Sequence, residues 1–180
     1  MKRVVLTAEE LQVLSLALAD TIQAPPDFLV ALWRGGAAIG CYVQEWLQHR
    51  FNVAIDNTSV RTARYHGVGQ AREEVVVEGL EHVFSKVRPG KNRILIVDDV
   101  WDAGTTMAAV LEKLSCLNAH IQVAVIYWKP ANNKTTLKPD YWLETTDAWI
   151  VLPHEMEGRT PEEIAALMES IRRRRESPKG

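Results

Sequence analysis

Three carboxylates and two hydroxyls fall within the short segment from Asp98 to Thr106: Asp98, Asp99, Asp102, Thr105 and Thr106. Ahead of them runs an apolar stretch, Ile94-Leu95-Ile96-Val97, and behind them Val110, Leu111 and Leu114 recur at helical spacing. The acids therefore belong at the end of a buried strand, and Asp102-Ala103-Gly104-Thr105-Thr106 turns the chain into a helix. A glycine permits close backbone approach. Successive amides and hydroxyls at a helix N-terminus make a nest for phosphate. Carboxylates beside that nest accept hydrogen bonds from sugar hydroxyls. A ribose 5-phosphate meets both demands.

Such a site needs a sheet whose strands end together, and the rest of the chain supplies one. Thr7-Ala8-Glu9-Glu10 reads as a capping box opening a helix to about Ile22, which Pro25-Pro26 ends. Phe28 to Trp33 is a continuous apolar run suited to a strand buried on both faces. Arg34-Gly35-Gly36 breaks it, and Ala37 to Arg50 is helical in pattern. Val53 to Tyr65 is rich in β-branched residues and extended. His66 to Glu74 has glycines, charges and no period, and reads as a mobile loop, with Val75-Val76-Val77 as a short returning strand. The key strand is expected over Arg93 to Val97, its helix over Thr106 to Leu117, and another buried strand over Ile121 to Tyr127. Lys129 to Pro139 is loop-like, and short strands are expected around Trp142 and over Ala148 to Leu152. A second capping box, Thr160-Pro161-Glu162-Glu163, opens a helix with Ile164, Leu167, Met168 and Ile171 on one face. Residues 172–180 are expected to be a frayed tail.

Alternating strands and helices imply right-handed crossovers, hence an α/β fold with a mostly parallel twisted sheet flanked by helices. In such sheets ligands bind outside the carboxyl ends of the strands. No repeat or linker divides the 180 residues, so one domain is expected. Segments outside the alternation, about 1–25 and 128–158, would form a small hood over the carboxyl edge.

Composition narrows the partners. With 21 basic and 23 acidic residues the net charge is −2, which calls for neither nucleic acid nor an anionic membrane. No apolar run is long enough to cross a bilayer and no signal-peptide pattern opens the chain, so a cytoplasmic location is expected. Cys41 and Cys116 lie in apolar surroundings on expected helices and read as buried thiols. His49, His66, His82, His120 and His154 lack metal-ligand spacing.

The run Ile94 to Thr106 resembles the signature of the type I phosphoribosyltransferases: apolar strand, two acids, and a loop ending in small and hydroxyl residues. That resemblance implies a set of roles. Asp98 and Asp99 lie near the ribose hydroxyls and Mg²⁺, meeting the metal directly or through water. Asp102 is the general base toward a purine N7 proton, and Asp102 to Thr106 hold the 5′-phosphate of phosphoribosyl pyrophosphate (PRPP). Ala103 departs from the family, which usually has Thr or Ser there. Arg34 and Gly35 resemble the pyrophosphate-binding loop, where a guanidinium and exposed amides suit a diphosphate. The loop from Arg61 to Glu74 corresponds to the family's closing loop, and Tyr65 aligns with its tyrosine, although Arg64 replaces the usual preceding serine.

Three later segments, Tyr127 to Ala131, Pro139 to Trp142 and Trp149 to Glu155, resemble the base-binding hood of the short microbial 6-oxopurine enzymes. Lys129 would donate to the purine O6, Trp149 would stack on the base, and the Ile150 backbone would face the base edge. The implied activity is transfer of a 5-phosphoribosyl group from PRPP to guanine, xanthine or hypoxanthine in purine salvage, by a homodimer or homotetramer. Two alternatives stand beside it. One is an enzyme for another base. The other is a regulator that keeps the ribose-phosphate site and binds nucleic acid, for which the run Arg172 to Arg175 is the available feature. Absence of Gly-Lys-Ser/Thr excludes a P-loop.

Overall fold

The computed structural model describes residues 2–65, 74–90 and 92–176. The elements in chain order are β1 (Arg3–Val5), α1 (Ala8–Thr21), β2 (Phe28–Trp33), α2 (Gly35–Phe51), β3 (Asp56–Tyr65), β4 (Glu74–Glu78), α3 (Glu81–Lys86), β5 (Arg93–Trp101), α4 (Thr105–Leu114), β6 (His120–Trp128), β7 (Tyr141–Thr145), β8 (Trp149–Val151) and α5 (Pro161–Glu176). Single 3₁₀ turns follow α4 and β6. The chain divides into two compact units: residues 12–147, and residues 1–11 together with 148–180.

The larger unit is built on a six-stranded sheet in the order β4-β3-β2-β5-β6-β7. Every pairing is parallel except β3 with β4, which run antiparallel from Arg61↔Glu78 to Tyr65↔Glu74. This is the expected α/β fold with a mostly parallel sheet. Because β2 pairs with β5 in parallel (Ala31↔Val97), Arg34 and Asp98 lie toward the same carboxyl edge of the sheet.

Both faces are covered, which explains the uninterrupted apolar strands. Val30, Leu32, Ile94 and Ile96 pack into a core with Val83 of α3 and Val110 and Leu114 of α4. The opposite face receives α2, whose Ile39, Val43 and Leu47 are buried. Gly40 lets α2 sit directly on β2, since a Cβ there would lie 2.8 Å from the Ala31 Cβ. Helix α1 ends with Asp20 and Ile22 carbonyls accepting from the Arg50 guanidinium of α2.

The smaller unit contains a two-stranded parallel sheet, β1 with β8, and the long helix α5. Both capping boxes form: Thr7 with Glu10, and Thr160 with Glu163, each pair exchanging amide-to-side-chain hydrogen bonds. No helix among the described residues is long and apolar enough to cross a membrane.

Several boundaries differ from expectation. Strand β5 does not stop at Val97: Asp98, Val100 and Trp101 stay paired with Val125, Tyr127 and Trp128 of β6. Val100 and Trp101 are good strand formers, and the pairing carries the two acids along with them. Residues 61–65 belong to β3, so the expected closing loop is shortened at its start; its residues 66–73 lie outside the described residues. The expected tail is helical to Glu176. Helix α3 and strand β1 were not expected, both being too short for their period to register. Cys41 and Cys116 are exposed rather than buried; each sits on the outer side of its turn, away from the apolar residues that flank it in sequence.

Candidate active site

Helix α2 begins at Gly35, two residues earlier than its apolar period suggests, and the reason is contact with β5. A Cβ on Gly35 would lie 2.3 Å from the Asp99 carboxyl carbon, and one on Gly36 would lie 2.3 Å from the Val97 carbonyl oxygen. Only glycine fits at either position. The expected pyrophosphate loop is thereby pressed against the expected ribose and metal acids. Arg34, which precedes α2 and follows a cis Trp33–Arg34 peptide, is exposed at this edge.

Asp98 and Asp99 form an electrostatically strained pair. Burial, and next the charge of Asp99, hold the Asp98 carboxyl well above the usual carboxylate range. Hydrogen bonds from the Asp99 and Gly36 amides offset this only in part. The Asp99 amide donates to Asp98 Oδ1 at 3.0 Å, and the Val100 amide to Asp99 Oδ1 at 2.8 Å. Two crowded carboxylates are the donor set a hard divalent cation prefers. Among the described residues no cluster of three or more His, Cys, Asp and Glu side chains could hold a metal alone. A cation here would therefore need further oxygens from a ligand, as Mg²⁺ at phosphate sites does.

The expected phosphate loop turns on Gly104, at φ +77°, which leads into α4 with Thr105 and Thr106 in its first turn. Asp98, Asp102, Ala103, Gly104, Thr106 and Met107 enclose a recess of about 60 Å³ at the N-terminus of α4. The first and last acids of the signature thus line one recess with the loop residues Ala103 and Gly104. Ala103 sits in its wall with no hydroxyl to offer.

Asp102 is held from two sides by the segment after β6. Lys129, itself buried, places Nζ 3.2 Å from Asp102 Oδ2, while Asn132 Nδ2 donates to Asp102 Oδ1 at 2.9 Å. The backbone joins in: the Lys129 amide donates to the Trp101 carbonyl and the Lys134 amide to the Ala103 carbonyl, both at 2.9 Å. Asn133 Oδ1 accepts from Thr135 Oγ1 at 3.0 Å and from Trp101 Nε1 at 3.3 Å. Trp101 is thereby buried under the loop. The same cluster crowds Gly104, where a Cβ would lie 2.5 Å from Asn133 Oδ1. Sequence reading reached Lys129 but missed Asn132 and Asn133, since two amides in a polar loop carry no spacing signal.

In the smaller unit, Trp149 opens β8 and is 41% exposed, and Ile150 is buried and paired with Val4. Gly158 packs against that indole, a Cβ there falling 2.9 Å from Trp149 Nε1. Tyr65 is the last residue of β3.

A phosphoribosyl transferase domain model matches residues 10–157, and the chain belongs to that family. It is accordingly a glycosyltransferase-type enzyme, a phosphoribosyltransferase, whose similar solved structures include purine enzymes. A purine phosphoribosyltransferase from Pyrococcus horikoshii is 27% identical, with 89% of this chain and 98% of that one covered at a TM-score of 0.70. A hypothetical protein from Neisseria gonorrhoeae with bound ppGpp is 25% identical over 94% and 97% of the two chains, at 0.74. The Helicobacter pylori xanthine-guanine-hypoxanthine phosphoribosyltransferase, 19% identical over 93% and 99%, shares the fold at 0.67. No curated protein sequence matches the chain.

Proposed function

We propose that the enzyme transfers the 5-phosphoribosyl group of PRPP to a 6-oxopurine (guanine, xanthine or hypoxanthine), releasing pyrophosphate, in cytoplasmic purine salvage as a homodimer or homotetramer. The observation that carries the purine assignment is the pairing of Asp102 with Lys129 beside the phosphate loop. A purine presents O6, an acceptor, next to N7-H, a donor. A lysine ammonium adjacent to a carboxylate is the complementary pair.

In this reading the amides and hydroxyls of Gly104, Thr105 and Thr106 grip the 5′-phosphate, and Arg34 with the Gly35 amide takes the diphosphate. Asp98 and Asp99 accept hydrogen bonds from the ribose hydroxyls and stabilise the positive charge that develops at C1 as the bond to pyrophosphate lengthens. Asp102 takes the N7 proton as the base attacks, and Lys129 fixes the base through O6. The exposed Trp149 indole offers a face for stacking and the Ile150 backbone an edge contact, while Tyr65 belongs to the segment that shields the reacting carbon from water. Mg²⁺, held by Asp98 and Asp99 directly or through water, would neutralise charge on the departing diphosphate.

A second reading is favoured by the ppGpp in the Neisseria gonorrhoeae protein. A site that takes guanine and a diphosphate has the elements to bind a guanine nucleotide carrying diphosphates, as an inhibitor or as a regulatory ligand. Both readings are tested by measuring pyrophosphate release from PRPP and Mg²⁺ with each base in turn. Release with a 6-oxopurine supports the enzyme reading. Tight ppGpp binding without release for any base supports the regulator.

A further inference from the structure

Helix α5 stands out because none of its residues is buried. Ile164, Leu167, Met168 and Ile171 recur at helical spacing along one side and are 37%, 36%, 49% and 52% exposed. Such a stripe on a water-facing helix calls for a cover. The charges say which. Helix α5 holds four glutamates (Glu162, Glu163, Glu169 and Glu176) against four arginines (Arg172 to Arg175), so it is electrically balanced. Glu162 and Glu163 stand alone in the first half, while all the arginines lie beyond Ile171, flanked by Glu169 and Glu176.

We propose that α5 is a self-association surface whose occupant is the antiparallel α5 of a second copy of this chain. Crossing the two helices at Leu167–Met168 sets Ile164 of one copy against Ile171 of the other. It also brings the Glu162–Glu163 end, where Glu163 already pairs with Arg3, against the Arg172–Arg173 end, where Arg173 pairs with Glu169, twice over by the twofold symmetry. A parallel pairing would stack arginine on arginine. A balanced helix gives no net attraction to a nucleic acid or an anionic bilayer, and its acidic half would be repelled by either. The helix macrodipole also favours acids first and arginines last, but it accounts for no apolar stripe. The N-terminus of α5 is anchored, Arg3 pairing with Glu163 at 2.9 Å and the Arg159 guanidinium donating to the Glu155 carbonyl at 2.7 Å, so the stripe is presented on a fixed stem. Few apolar side chains take part, so the association is concentration-dependent.

The test starts from a Cys41→Ser/Cys116→Ser background, into which Ile164→Cys and Ile171→Cys are introduced separately. Under copper–phenanthroline oxidation, the mixture of the two proteins should form a disulfide-linked dimer and neither protein alone should do so. In sedimentation velocity Ile171→Glu should remove one association step, halving the limiting mass. Arg172→Glu/Arg173→Glu should raise the dissociation constant of that step roughly tenfold, attraction having become repulsion at both ends. Cross-linking of each protein with itself and not in the mixture would overturn the antiparallel pairing. An unchanged mass for Ile171→Glu, or salt-sensitive capture of the wild-type protein by RNA or phosphatidylglycerol vesicles that Arg172→Glu/Arg173→Glu abolishes, would overturn self-association.

Discussion

Asp102 and Lys129 are joined across the mouths of two adjacent strands, carboxylate to ammonium at 3.2 Å, with Lys129 buried and Asp102 half open to solvent. Each group thus has a partner before any ligand arrives. The geometry divides the work: Lys129 is fixed by burial, while the more open carboxylate keeps room to meet a proton. Asp102→Ala should lower kcat by about 10²–10⁴-fold, the usual contribution of a general base, with PRPP affinity measured by calorimetry little changed. Near-wild-type turnover would remove Asp102 from the chemistry.

Lys129 should behave differently. Lys129→Met keeps the buried stem and removes the ammonium. A charge-assisted hydrogen bond contributes about 1.5–3 kcal/mol, so KM for the purine should rise roughly 10- to 150-fold. KM for PRPP should stay within about twofold, a margin of a few tenths of a kcal/mol. An equal rise in both constants would mean that the substitution has disturbed the phosphate loop instead.

Position 103 offers a gain of function. Ala103→Thr restores the hydroxyl usual at this point of the family signature, in the wall of the phosphate recess, and leaves the Lys134-to-Ala103 backbone bond in place. One added hydrogen bond to phosphate should lower KM for PRPP by about 2- to 10-fold, from a net 0.5–1.5 kcal/mol. Steady-state kinetics with saturating base provide the check.

Gly104 should tolerate no side chain. Its φ of +77° disfavours any L residue, and a Cβ would press on Asn133 Oδ1 at 2.5 Å. Gly104→Ala should destabilise the fold by about 1–3 kcal/mol and weaken PRPP binding as well. Thermal denaturation with and without PRPP separates the two effects.

Stability should depend on pH through Asp98. Its carboxyl titrates above the ordinary range in the folded protein, because burial and then Asp99 disfavour its charge. The stability it contributes is therefore fully present below the unfolded value of about 3.9 and is lost as pH rises through the higher folded value. Asp98→Asn should flatten that loss, so its advantage over wild type should grow with pH across the same window. Denaturant melts over a pH series give the comparison, and an advantage that shrinks as pH rises would contradict the assignment.

How much of this was legible beforehand follows from where the signals lie. The strands Phe28–Trp33 and Arg93 onward, and the cluster Asp98 to Thr106, are local patterns that sequence displays directly. Lys129 was reached through the resemblance of Tyr127 to Ala131 to a segment of the family's base-binding hood. What stayed hidden was tertiary. Gly35 and Gly36 read as a turn, yet they are there because β5 leaves no room for a Cβ. Trp101 is buried by β5 pairing and the Asn133 contact, both long-range and silent in the local sequence. Asn132 reaches Asp102 across 30 positions of chain, which no local spacing announces.

The most direct measurement compares kcat/KM for hypoxanthine and adenine in the wild-type enzyme. These bases differ at C6, an oxygen that can accept from an ammonium against an amine that cannot. Lys129 keeps its Asp102 partner with either base, so adenine forfeits one charge-assisted hydrogen bond of about 1.5–3 kcal/mol, and hypoxanthine should be favoured roughly 10- to 150-fold. Equal use of the two bases, or a preference for adenine, would contradict the 6-oxopurine assignment.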